Sequence, residues 1–180
     1  MAITRLGGAN AITGTIPNSN LATGNVIQVV SATKTDTQVT STSTFVDITG
    51  LSLSITPSSA SNKIMLVVNM NIDGLERYMA LKFVRGSTDI GIGDADGSTT
   101  RVTVSSQRNH SATNDHYVMH NSSASFLDSP NTTSATTYKI QAGLTYGTAQ
   151  NLYINRPRVT DDNTYVHRGI STLTAFEVQG

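Results

Sequence analysis

"KIMLVVNMNID", residues 63–73, decides the fold. Ile64, Leu66, Val68, Met70 and Ile72 recur at a period of two, which lines them up on one face of an extended strand. A helix would scatter the same residues around its circumference. The alternate positions begin apolar, at Met65 and Val67, and turn polar at Asn69, Asn71 and Asp73. That change predicts a central strand buried on both faces at its Met65 end and on one face only at its Asp73 end.

The same period returns on either side. Leu51, Leu53 and Ile55 alternate with Ser52 and Ser54 and stop before Pro57, which has no N–H to give to a ladder. "YMALKFVRG" sets Met79, Leu81 and Phe83 on one face before a turn at Gly86. In "TYKIQAGLTY", Tyr138, Ile140, Ala142, Leu144 and Tyr146 face one way, with Lys139, Gln141 and Thr145 opposite. "GISTLTAFEVQG" carries Ile170, Phe176 and Val178 on one side and Leu173 and Ala175 on the other. Turn-rich stretches at 57–62, 86–99, 105–115, 129–135 and 160–165 separate these segments. Eight or more short strands, without an amphipathic helix or a fixed repeat, predict an all-β sandwich of about 150 residues.

Composition narrows the function classes. The chain has 180 residues, 37% of them hydrophobic, which suffices for one core. Charged residues make up only 13%, and twelve basic side chains balance twelve acidic ones. No net field therefore draws the chain to nucleic acid or to an anionic membrane, and no apolar run is long enough for a membrane-spanning helix. The absence of cysteine excludes disulfides, zinc–thiolate sites and thiol nucleophiles.

Catalytic and metal-binding patterns find little support. "GDADGS" places Asp94 and Asp96 before Gly97, as a calcium loop would, but the Glu that completes such a loop is missing. The sequence thus predicts a plain acidic turn. His116 and His120 would pair on a metal in a helix; four residues apart on a strand they stand about 13 Å apart. There is no nucleophile elbow and no zinc-protease motif. With only Glu76, Glu177 and ten Asp in the chain, no carboxylate pair is evident for glycoside cleavage. The reading is a non-enzyme without cofactor or metal. Arg156, Arg158 and Arg168 surround Asp161 and Asp162, which predicts either an ion network between subunits or local pairs in a solvated loop.

Residues 7–30, "GGANAITGTIPNSNLATGNVIQVV", pose a different problem. After Arg5 no charge appears until Lys34. So neutral and weakly apolar a segment cannot order itself. It orders where its backbone and its spaced anchors, Ile3, Leu6, Ile12, Ile16 and Leu21, meet another surface, with Pro17 stiffening an extended path. The expected organisation is an attachment arm over 1–24 and a sandwich over 25–180.

Several phrases resemble fibre-like structural proteins of tailed marine and cyanobacterial bacteriophages: "ITGTIPNSNLATGNVIQVV", "STSTFVDITGLSLSITPSSASNKIMLVVN", "SFLDSPNTTSATTYKIQ" and "INRPRVTDDN" with "GISTLTAFEVQG". The succession of strand, turn, long strand, aromatic strand and final strand is also similar to the trimeric jelly-roll knobs of the complement C1q and tumour necrosis factor type. These resemblances imply a jelly-roll knob, a homotrimer and a place in the virion. The arm would join a neighbouring virion protein of tail or capsid, and the loops would bind a host-surface glycan or protein. Asp94, Asp96, Arg108, His110, Asp161, Asp162 and Tyr165 are the candidate receptor-facing residues. The same fold would also serve a capsid decoration or head-fibre protein. A small glycan-active enzyme is the third reading.

Overall fold

The structure, a computed structural model, describes residues 22–74, 79–106, 117–145 and 149–180. Eleven strands follow one another: β1 (Val26–Lys34), β2 (Gln38–Thr42), β3 (Val46–Ile55), β4 (Lys63–Gly74), β5 (Met79–Arg85), β6 (Thr88–Ile90), β7 (Val104–Ser106), β8 (His120–Asp128), β9 (Thr136–Leu144), β10 (Gln150–Ile154) and β11 (Ser171–Val178). The turn-rich stretch 86–99 also contains the short strand β6, and Ser105, where the next turn-rich stretch begins, belongs to β7. Gly86, at φ +60, closes the tight β5–β6 hairpin.

Several strands share one line in a sheet. β11 and β10 both pair antiparallel with β4, one along Lys63–Asn69 and the other along Ile72–Gly74. β1 and β2 flank them in the same way, while β8 pairs with the opposite edge of β4. β6 and β7 likewise share one edge of β5. Counting each shared line once leaves eight positions in two antiparallel sheets. One runs β1/β2–β10/β11–β4–β8 and the other β3–β9–β5–β6/β7. That strand order is the jelly roll, two Greek keys folded into a sandwich.

The core is the meeting of the two inner faces. Ile64, Leu66, Val68, Met70 and Ile72 of β4, with Leu173 and Ala175 of β11, face Leu51, Leu53, Ile55, Leu81, Phe83, Tyr138, Ile140 and Leu144, and all are buried. Period-two alternation therefore located nearly the whole core. It misplaced two polar residues. Glu177 is 1% exposed and shares the inward face of β11. Its Oε1 accepts from the Ser58 N–H at 2.6 Å, the Ser58 hydroxyl at 2.8 Å and Asn62 Nδ2 at 2.6 Å, so it locks the 57–62 turn to the sheet. On β4 the second face is closed at the end opposite to the expected one: Asp73 is fully buried, whereas Met65 and Val67 are only half-buried. The cover over Asp73 is the chain's own segment after β10, whose Arg158 N–H donates to Asp73 Oδ2 at 2.8 Å.

A polar staple crosses between the sheets. Asp128 of β8 accepts two hydrogen bonds from Arg85 Nη1 of β5, at 3.0 and 2.9 Å, and one from the Tyr138 hydroxyl of β9, at 2.7 Å. Burial first, and then the hydrogen bond to Asp128, raises Tyr138 above its ordinary value of 10.0. Because the folded-state value is the higher one, this contribution is complete below pH 10 and is lost as the pH rises beyond it. The unfolded chain then releases a proton that the folded one keeps, at about 1.4 kcal/mol per pH unit. Wild type should therefore lose stability faster than Tyr138→Phe above pH 10, in denaturant melts taken from pH 8 to 11. Parallel curves would contradict the assignment.

The two outer faces differ in kind. On the β3–β9–β5 sheet, Lys139 pairs with Asp47 at 2.7 Å and Lys82 with Asp89 at 2.6 Å. Away from the covered Asp73 end, the other outer face presents Ser31, Thr33, Thr172, Thr174, Asn69, Ser123 and Ser125, and among the described residues Lys63 is the exposed charge on its β1, β11, β4 and β8 strands. Across it runs an apolar row in direct cross-strand register, Val29–Phe176–Met65–Leu127. The end members are 55% and 42% exposed.

Candidate functional site

An open concavity lies at the Asn71 end of that same neutral sheet. It is shaped by a loop, residues 156–169, that leaves the sheet after β10 and returns at β11. Asn155 holds both ends. Its N–H donates to the Asn71 carbonyl at 2.9 Å, and its own carbonyl accepts from the Gly169 N–H at 3.1 Å. Its side-chain Nδ2 donates to the carbonyls of Lys34 and Asp36, both at 2.9 Å, and its Oδ1 accepts from the Ser171 hydroxyl at 2.6 Å. This fully buried residue sits at φ +59, a backbone conformation that Asn tolerates better than most side chains. Gly169 packs against Asn71 so closely that a Cβ would fall 2.8 Å from Nδ2, which is why the return needs glycine.

Opposite the loop, residues 117–119 lead into β8. Together they enclose an open groove of about 770 Å³ lined by Asn71, Tyr117, Val118, Met119, Tyr165 and His167. Tyr117 and Tyr165 meet edge to face, with ring centres 4.9 Å apart at 78°. The Tyr117 hydroxyl approaches Asp161 Oδ2 at 3.4 Å. Desolvation first, then the Tyr165 hydroxyl and the Asp161 carboxylate, push Tyr117 above its ordinary value, so the hydroxyl keeps its proton. Tyr165 and Val118 are each 49% exposed. The chemistry on offer is aromatic and apolar surface beside hydroxyl, amide and imidazole groups.

The sequence candidates divide. Tyr165 and Asp161 come together here, and Asp162 stays exposed on the same loop, whose turns are closed by Asn163 N–H to the Asp161 carbonyl and Val166 N–H to the Asn163 carbonyl. Asp94 and Asp96 lie elsewhere, exposed in the 91–103 connection. Gly97 there has φ +53, and the Thr99 N–H donates to the Asp96 carbonyl, a turn held by its backbone. No group of three His, Asp or Glu among the described residues could hold a metal. Arg108, His110 and His116, with the arm residues Ile3, Leu6, Ile12, Ile16, Pro17 and Leu21, lie outside the described residues, as do Glu76 and Tyr146. Within the single chain, no ion pair joins Asp161 or Asp162 to Arg156, Arg158 or Arg168 among the described residues, and a network between subunits would require a second copy. Arg156 instead donates to the carbonyls of Pro157 and Arg158 and lies over the Tyr153 ring at 5.1 Å. Alternation could not reveal Asn71, Tyr117, Val118, Met119 and His167 as one site, because the loop alone brings them together.

No helix among the described residues is long and apolar enough to cross a membrane. No protein-family model matches the chain, and no curated protein does. Among solved structures, the infectious bursal disease virus VP2 subviral particle is similar at 13% identity and a TM-score of 0.40, over 94% of this chain and 42% of that one. The structure of the Gx strain of the same virus gives 14%, 0.37, 92% and 42%. The chain thus spans less than half the length of those chains. Likeness at this level carries no argument, and the jelly roll described above rests on its own strand order.

Proposed function

We propose that the chain is a virion structural protein whose jelly roll projects from the particle and binds a host-surface glycan in the Tyr117–Tyr165 groove. The groove carries this reading. Sugar rings present C–H faces that stack on aromatic rings and hydroxyls that bond to amide, phenol and imidazole groups, and this site supplies both. The phage-fibre phrases of the sequence support a place on the virion. The proposed assembly is a homotrimer carried by a neighbouring virion protein, so that three shallow sites act together and weak single-site binding becomes useful.

The proposal is non-catalytic. Glu177 is committed to the 57–62 turn, and Asp161 faces a tyrosine hydroxyl instead of a second carboxylate. A head-decoration role is the second reading, favoured by the neutral outer face, which suits packing against other proteins. Antibody labelling of intact particles separates the two, since label on the tail supports attachment and label over the head supports decoration.

Tyr165→Ala should weaken glycan binding about tenfold or more, the size of an aromatic hot spot. Its melting temperature should hold, because the ring is half exposed. A glycan array followed by calorimetry on the best binder reads the change. Unaltered affinity, or no glycan bound by the wild-type protein, would end this assignment.

A further inference from the structure

Beyond Asn71, the neutral outer face of the β1–β11–β4–β8 sheet takes no part in the groove, yet it is unlike the other outer face. A solvent-facing sheet normally carries charge, as the opposite face of this sandwich does with its Lys–Asp pairs. Here the row Val29–Phe176–Met65–Leu127 crosses four strands, and among the described residues of these strands' outer face Lys63, at the margin, is the charged neighbour. Beside it opens a hollow of about 280 Å³ lined in part by Val67, Asn69, Ser123 and Ser125.

We infer that this face seats the N-terminal arm, residues 6–21, of a neighbouring copy of the chain. Size argues against a rigid partner. Seven residues of strand by four strands make a footprint of roughly 23 by 19 Å. As a flat footprint that is about half of the roughly 800 Å² per partner of a standard-size interface. A single extended segment fits such a strip. Charge argues for the arm in particular, since residues 6–33 carry none. Spacing agrees: Ile12 and Ile16 lie about 13 Å apart when extended, against about 14 Å from Val29 to Leu127 across three strand gaps. The exit point argues for another copy. Gly24 N–H donates to the Gln179 carbonyl and Gln179 N–H to the Asn25 carbonyl, which holds residues 24 and 25 at the end of their own sheet, so the arm would have to double back along β1 to reach its own row. Met65 lies six residues along β4 from Asn71, so an arm seated on the row leaves the groove open.

The native chain lacks cysteine, which makes cross-linking free of background. Full-length Ile16→Cys and Leu127→Cys chains, mixed and oxidised, should form a 16–127 disulfide between copies, identified by peptide mapping. Light scattering at micromolar concentration should show an oligomer for wild type and a monomer for Val29→Lys/Leu127→Lys. Both replaced side chains are exposed, so the monomer should remain folded, with an unchanged circular-dichroism spectrum and a melting temperature lowered only by the lost association. Ile16→Asp, made in the arm, should give the same monomer without touching the sandwich. A stable wild-type monomer would overturn the inference, as would an oligomer indifferent to these charges. So would a 16–127 disulfide that forms only when both cysteines are in one chain. Glycan binding at the groove is measured separately on the monomeric variant, so failure of one proposal does not conceal failure of the other.

Discussion

Replacing Asn155 by alanine should lower the unfolding free energy by about 4–6 kcal/mol, a large share of the 5–15 kcal/mol that holds a domain together. The side chain is fully buried and makes three hydrogen bonds, those with Lys34 and Ser171 in the interior and the one to Asp36 at its exposed margin. Its loss leaves the Lys34 and Asp36 carbonyls and the Ser171 hydroxyl short of a partner, at about 1–3 kcal/mol for each buried group. Alanine at φ +59 adds about 1 kcal/mol of backbone strain. Asn155→Gly removes the strain but not the vacancies, so it should recover only that last increment. Asn155→Asp should fare no better than alanine, because its carboxylate would face two carbonyl oxygens where Nδ2 now donates. Urea unfolding of the three variants checks the series. A loss below about 1 kcal/mol for Asn155→Ala would mean that the loop is held by something else. Since Asn155 ties down both ends of the loop that carries Tyr165 and His167, the alanine variant should also lose the groove. A fall in glycan binding at temperatures where the variant remains folded would show this.

Asp128→Ala is expected to cost about 3–5 kcal/mol, the usual result of removing one member of a buried ion pair. The lower part of that range applies, because the Arg85 side chain is 31% exposed and water can partly solvate it. The Tyr138 hydroxyl, buried and donating only to Asp128 among its described hydrogen bonds, has no such recourse. Asp128→Asn keeps one acceptor oxygen and should lose less than alanine. A double-mutant cycle with Arg85→Met isolates the pair, since removal of both charges should cost less than the sum of the single changes. Additive losses would show that Arg85 and Asp128 act independently. The staple ties β8 in one sheet to β5 and β9 in the other, so its failure should promote separation of the sheets and not local fraying.

The period-two pattern of Ile64–Ile72, Leu51–Ile55 and Tyr138–Leu144 was enough to read the class of fold and most of the core. An alternating strand has only one way to bury its apolar face, and that choice is written residue by residue. The jelly-roll order is a different matter. Which strand lies beside which depends on pairings such as Met65 with Phe176 and Leu127, more than fifty positions apart, to which no local pattern points. The buried Asp73 and Glu177 were illegible for a related reason. A carboxylate is buried only where donors surround it, and here those donors are the Arg158 N–H and the Ser58 and Asn62 groups from distant turns.

By itself, then, the sequence determined the all-β class, the inward faces and the weakness of any catalytic or metal motif. It also marked the neutral arm, the acidic turn at Asp94 and Asp96, and the polar loop that carries Tyr165. Only the tertiary structure decided that this loop folds back over β4, that Tyr117 meets Tyr165 to line a groove, and that Asp94 and Asp96 stand apart from it. The physical reason is the range of the forces involved. Side-chain alternation is a property of neighbours in the chain, whereas a site is made where the chain closes on itself, here through the five hydrogen bonds of Asn155.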